Sequence, residues 1–271
     1  MTNTVLDLFD LHGRVALVSG SAQGMGRSMA IAFAEAGADL LLTDINPVGA
    51  QATAEYIHGL GRRAVVTQSD ITDVDQIRAV FQTLDKEFGR IDILGAVFGP
   101  GVSASAEDIE LEQFQKVVYG LTTARFCCCQ EAGRRMLAQG RGSIINICSI
   151  GGVTSLGRGN FAYSVGMGGV AQITRELSTE WSGRGVRVNA ILPAQVTNPG
   201  LQVRWAADPS LKETMLRGIP IGRFGVPDDI KGLALLLASD ASAWITGALI
   251  PFDGGNLAMN AGGTSGLFKS V

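Results

Sequence analysis

The chain has 271 residues, 46% of them hydrophobic and 17% charged, with a formal net charge of −3. That composition supports a sizeable buried core, and the scattered lysines and arginines offer no basic face for a nucleic acid. No apolar run reaches the roughly 18–20 residues of a membrane span. The start, with Asp7 and Asp10, lacks the basic-then-apolar pattern of a secretory leader, so no membrane association and a cytoplasmic location are expected.

In chain order, 14–19 reads as a buried strand and 24–37 as a helix carrying Met25, Met29, Ile31, Ala32, Phe33 and Ala36 before the stop at Gly37. A second strand occupies 39–44, and Pro47 suits the first turn of a helix running to about 61. Further strands are expected at 64–68, 91–98, 143–148, 187–192 and 249–252. Helices fill about 73–88, 112–139, 161–183, 208–217 and 227–239. Short, continuously apolar strands alternating with amphipathic helices predict an α/β fold: one doubly wound parallel sheet of about seven strands with helices on both faces. No linker or repeat divides the chain, so 1–271 is read as a single domain with a polar tail over about 256–271.

Cys127, Cys128 and Cys129 are consecutive and would point in different directions on a helix. With Cys148 they read as reduced core residues rather than metal ligands. Of the two histidines, His12 precedes the first strand and His58 lies near a helix end, which leaves a multi-histidine metal site or a Ser-His-Asp hydrolase almost nothing to work with. No metal is expected.

Between the first strand and first helix, Gly20, Gly24 and Gly26 are spaced G-x3-G-x-G. Glycine there lets backbone N–H groups approach a pyrophosphate at a helix N-terminus, so Gly20, Gln23, Gly24, Met25 and Gly26 form the expected cradle. Asp44 closes the second strand, where a carboxylate accepts hydrogen bonds from the adenosine ribose hydroxyls and repels a 2′-phosphate. No Arg or Lys lies between Gly20 and Gly26, so NAD is expected over NADP. Asp70, followed by Ile71, is a candidate contact for the adenine amino group, with helix capping as the other reading.

Taken with its later segments, the sequence resembles the short-chain dehydrogenase/reductase family over nearly its whole length. Gly142-Ser143-Ile144-Ile145-Asn146-Ile147-Cys148-Ser149 is similar to the strand that delivers the family's catalytic serine, which falls on Ser149; Tyr163 aligns with the catalytic tyrosine. Val186-Arg187-Val188-Asn189-Ala190-Ile191-Leu192-Pro193 resembles the strand supporting the nicotinamide half, with Val196 and Thr197 beyond it. The ending, from Arg223-Phe224-Gly225-Val226-Pro227 through Ile245-Thr246-Gly247 to Asp253-Gly254-Gly255, is also of the family's type. The resemblance implies a Rossmann fold, NAD, a small-molecule substrate and a homo-oligomer, tetramer ahead of dimer.

Three positions depart from the family pattern. Met167 stands where lysine normally follows the tyrosine, Ala96-Val97-Phe98-Gly99 keeps only the glycine of an asparagine-asparagine-alanine-glycine motif, and Gly120 replaces a helix asparagine. Ser149 would orient a substrate oxygen and Tyr163 would move its proton. The cation that lowers the phenol pKa from roughly 10 is missing at its usual place, which should hurt alcohol oxidation more than carbonyl reduction. Arg158 and Arg125 are the cations that could fold into the gap.

The leading reading is an NAD(H)-dependent oxidoreductase of hydroxyl or carbonyl groups. The alternatives are elimination, isomerisation or epimerisation on the same Ser–Tyr pair, or a weakly catalytic NAD-binding protein. The segment 195–218 should cover the pocket; its mixture of Leu201, Trp205 and Met215 with Arg204 and Lys212 suggests a medium-sized, partly apolar substrate.

Overall fold

Seven short apolar segments pair side by side, all parallel: β1 (Val15–Ser19), β2 (Asp39–Asp44), β3 (Ala64–Gln68), β4 (Ile93–Ala96), β5 (Gly142–Ile147), β6 (Val186–Pro193) and β7 (Leu249–Phe252). Their order is β3-β2-β1-β4-β5-β6-β7. This computed structural model describes residues 4–99, 101–157 and 159–259. Arg158 and most of the expected tail therefore lie outside the described residues.

Alternation along each strand feeds two layers. Val15 and Leu17 of β1 pack into one core with Ile77, Phe81 and Leu84 of α3 (Val74–Glu87) and with Ala132 and Met136 of α5 (Thr123–Gln139). Ala16 and Val18 point the other way, toward Met29 and Phe33 of α1 (Gly24–Glu35), Ile57 of α2 (Pro47–Gly59) and Leu237 of α9 (Lys231–Ala238). Each fully buried Leu, Ile or Phe contributes roughly 1.5–3 kcal/mol, so both faces must be covered. That is why the strands read as unbroken apolar runs. A third, smaller cluster joins α4 (Leu111–Leu121) and α6 (Phe161–Trp181) to the C-terminal ends of β5 and β6.

The expected helix over 112–139 is two helices. Thr122, between α4 and α5, has φ −101° and ψ −62°, and its hydroxyl donates to the Val118 carbonyl at 2.6 Å, a side-chain competitor for the helical ladder. The expected helix over 227–239 opens with a 3-10 turn, Pro227–Ile230, before α9 begins. Two helices rather than one span the cover segment: α7 (Pro199–Ala207) and α8 (Pro209–Arg217). Both have proline in the first turn and a side-chain cap, Asn198 accepting from the Leu201 N–H at 2.9 Å and Asp208 from that of Leu211 at 3.2 Å. β4 is shorter than the expected 91–98; Asp92, just before it, accepts from the Val15 N–H at 2.9 Å and orders that edge by its side chain.

Strand order reverses between β1 and β4, since the chain goes outward to β3 and then returns to the other side of β1. Such a switch point leaves a crevice at the C-terminal ends of the strands, where α/β sheets bind ligands.

Candidate active site

At that crevice the turn after β1 folds tightly on itself. Gly20 has φ +64°, and a Cβ there would lie 2.1 Å from the Val97 carbonyl oxygen; one on Gly26 would lie 2.0 Å from the Gly20 oxygen. Gly24 has φ +57°, a left-handed conformation that L side chains rarely adopt. Gln23 caps α1 with extended backbone but makes no side-chain cap, and the first turn has no acidic residue. The helix therefore presents its positive end and its first N–H groups to an anion. Met25 leans into the adjoining core. These features fit a dinucleotide's diphosphate.

Asp44 joins the two neighbouring loops. One carboxylate oxygen accepts from the Ala22 N–H and the other from the Asn46 N–H, both at 2.9 Å, and each oxygen keeps a lone pair for a ribose hydroxyl. Asp70 turns back on its own loop, accepting from Thr72 N at 2.9 Å and Thr72 Oγ1 at 2.7 Å, while Asp73 caps α3. Ile71 is buried beneath that turn. Gly99 has φ +147°, and a Cβ there would lie 2.1 Å from Leu121 Cδ2. Pro193 ends β6, Val196 bridges to Gly225, and the Thr197 N–H donates to the Gly225 carbonyl at 2.9 Å.

Ser149 directly follows β5's exit through Cys148, and its Oγ accepts from the Gly151 N–H at 3.0 Å. Tyr163 lies in the first turn of α6, with its phenol near enough to Ser149 for that side chain to favour its ionised form. The two predicted catalytic residues thus meet. Desolvation raises the Tyr163 pKa above its ordinary value, and the Ser149 side chain opposes that rise. Met167, one turn along α6, is buried; its carbonyl accepts from Cys148 Sγ at 3.3 Å.

Beside this pair lies a charged group. Arg125 of α5 is fully buried; Nη1 donates to the Ala96 carbonyl, Nη2 to the Phe98 carbonyl, and the guanidinium lies 4.2 Å from the Phe98 ring centroid. Among the described residues no carboxylate forms an ion pair with it, and its Nε has no hydrogen-bond partner. A run of apolar helix neighbours gives little sequence signal for such a placement; only its position opposite the altered Ala96–Gly99 motif hints at it.

The four cysteines are buried and unbonded, and burial pushes the Cys129 thiol up to about 11. His12, beside Asp10, precedes β1, and His58 lies 3.0 Å from the Ala64 carbonyl at the start of β3, so both sit by strand N-termini, away from the crevice at the strands' C-terminal ends. Trp205 of α7 packs at a tilt against Phe224, with ring centroids 4.2 Å apart. A separate cavity of about 160 Å³ beyond β6 and β7 is lined by Gln195, Ile219, Ile221, Arg223, Asp229 and Asp253, among others, and does not include Ser149 or Tyr163. No helix among the described residues is long and apolar enough to cross a membrane.

Residues 20–256 match the protein family described as Enoyl-(Acyl carrier protein) reductase. A D-threitol dehydrogenase of Mycolicibacterium smegmatis is 37% identical over 91% of this chain and 94% of its own length. Among solved structures, a short-chain type dehydrogenase/reductase from Mycobacterium marinum superposes with TM-score 0.87 at 34% identity, covering 93% of this chain and 99% of its own. A gluconate 5-dehydrogenase from Burkholderia cenocepacia, in complex with NADP and tartrate, gives TM-score 0.88 at 29% identity, covering 95% and 100%.

Proposed function

The chain belongs to the short-chain dehydrogenase/reductase family and is an oxidoreductase acting on hydroxyl and carbonyl groups with NAD(P); on that premise we propose that it uses NAD(H), with Ser149 orienting the substrate oxygen and Tyr163 exchanging its proton. The observation that carries this reading is that the Tyr163 phenol and the Ser149 side chain come together at the strand ends beside the glycine turn, near enough for Ser149 to favour the phenolate.

A bound nicotinamide dinucleotide supplies the hydride acceptor or donor, so that alcohol and NAD⁺ become carbonyl, NADH and a proton. Gly20, Gln23, Gly24, Met25 and Gly26 would seat its diphosphate, and Asp70, Ile71, Gly99, Pro193, Val196 and Thr197 would flank its two halves. In carbonyl reduction the neutral Tyr163 hydroxyl donates its proton to the substrate oxygen while Ser149 donates a hydrogen bond to the same oxygen. In oxidation the substrate hydroxyl proton passes to the Tyr163 phenolate. Asp44 supports NAD over NADP, because a carboxylate at the end of β2 attracts ribose hydroxyls and repels a 2′-phosphate.

The substrate we assign is a short polyhydroxylated alcohol or its keto form. The names of the threitol and gluconate relatives support this. A single catalytic domain, assembled with copies of itself, tetramer ahead of dimer, completes the reading. The surface groove between α5 and α6, with Phe126, Leu137, Ile173 and Trp181 on its walls, favours assembly through those helices. Four unbonded cysteines suit a cytoplasmic setting.

Calorimetric titration with NADH and NADPH, followed by NADH consumption with a panel of ketoses and short polyols, tests these assignments together. Tighter NADH binding and turnover of a keto-sugar are expected. Association with neither dinucleotide would overturn the reading, and preference for NADPH would remove the role given to Asp44.

A further inference from the structure

Resting on the roles given to Ser149 and Tyr163 above, we propose that Arg125 is the cation of this active site: a positioning residue that, reaching in from α5, fixes the end of β4 and places a buried positive charge behind Tyr163. It would take over, from a different helix, the work that the family draws from the position held here by Met167.

Three observations converge on it. First, the guanidinium grips the backbone at the altered motif, with Ala96 and Phe98 each giving it a carbonyl and the Phe98 ring stacked against it. Val97, between them, has the carbonyl that a Cβ on Gly20 would strike, so the same segment forms a wall of the glycine turn. Second, packing connects this segment to the tyrosine. Leu121 lies against both Gly99 and Gly166, and Gly166 is within one turn of Tyr163 on α6. Third, among the described residues the charge has no carboxylate partner. A guanidinium cannot shed its proton at ordinary pH, so it remains charged in the interior at a cost to stability.

The titratable groups whose charges bear on Arg125 are Cys129, Cys128, Cys148 and Tyr163. Burial holds the three thiols protonated, raising each above its usual range. Of these four groups, Tyr163 is the one that must pass through an anionic form in alcohol oxidation. From the elements around it, the charges that bear on the phenol are those of Cys148 after β5 and Arg125 of α5, the latter favouring its ionised form. The ionisable residues Glu112, Lys116 and Tyr119 of α4 are exposed. The pairing with Arg125 therefore forms when the phenolate forms, which is where it aids the reaction rather than the resting state.

The test reads the phenol directly. The protein has three tyrosines; subtracting the tyrosinate absorbance titration of a Tyr163→Phe variant isolates the midpoint of Tyr163. Arg125→Gln keeps donors for the β4 carbonyls but removes the charge, and should raise that midpoint by about one pH unit. Arg125→Lys keeps the charge and should stay within about half that shift. A glutamine midpoint equal to the native one, in a variant with native circular dichroism, would overturn the proposal. If the glutamine variant does not fold, the lysine variant decides: a full one-unit rise despite the retained charge would equally overturn it. Because the titration needs neither cofactor nor substrate, a protein that failed to turn over would discredit the catalytic roles of Ser149 and Tyr163 while leaving the result for Arg125 intact.

Discussion

The two halves of the crevice carry their chemistry in different materials. Around β1 and β2 the working parts are backbone: positive-φ turns at Gly20 and Gly24, the close approach of Gly26, and free amides at the start of α1. Around β4, β5 and α6 the parts we propose are side chains: a hydroxyl, a phenol and a buried guanidinium. Backbone geometry can be met only by glycine at fixed positions, so that half keeps a recognisable spelling. A charge can be delivered from any helix long enough to reach, so the other half can change its residues without losing the field they create.

If that division is right, damage to the two halves should separate cleanly. Tyr163→Phe should lower kcat/KM by about 10²–10⁴-fold, the usual scale of a lost general acid–base group, while NADH still binds with native affinity by calorimetry. The native enzyme sharpens the same point. Burial raises the Tyr163 pKa, so the phenol is neutral through neutral pH and below its folded pKa the phenolate fraction grows about tenfold per pH unit. Alcohol oxidation should therefore climb steeply through the alkaline range, and carbonyl reduction should stay level until the phenol ionises. A flat oxidation profile would count against Tyr163 as the base.

The cradle should show the converse. Gly26→Ala places a Cβ 2.0 Å from the Gly20 oxygen; overpacking of that kind costs roughly 1–3 kcal/mol, or about 5–150-fold in NADH affinity. The Tyr163 titration should not move, and a shifted midpoint would blur the division. The smallest effect is expected from Asp44→Asn, which keeps an acceptor for the Ala22 N–H but removes the charge. The NADH-to-NADPH affinity ratio should fall by roughly fivefold, about 1 kcal/mol.

The same contrast explains what the sequence disclosed. The strands were legible because the five inner ones are buried on both faces, leaving continuous apolar runs such as Val15–Ser19 and Asp39–Asp44, while the half-buried edge strands β3 and β7 keep short apolar runs of their own. The glycine spacing, Asp44, Ser149 and Tyr163 were readable as motifs. The break at Thr122 was hidden, because the apolar pattern runs through it and the interruption comes from one hydroxyl bonding backward. α7 opens on the helix-start pair Asn198 and Pro199 but buries no residue, so its sequence carries no apolar period to mark it. Arg125 could be named as a cation near the site, but nothing in its neighbourhood told that its guanidinium would turn inward onto the β4 carbonyls.

One contact bears on how the molecule is made. The Ser28 hydroxyl of α1 donates to Asp228 at 2.6 Å, across 200 positions of sequence. The glycine turn leaves the ribosome well before the residue that clasps the helix behind it. A nascent chain that has emerged only as far as β5 would carry the turn without the clasp. Its ability to retain a nucleotide should arrive only once the 3-10 turn Pro227–Ile230 can dock.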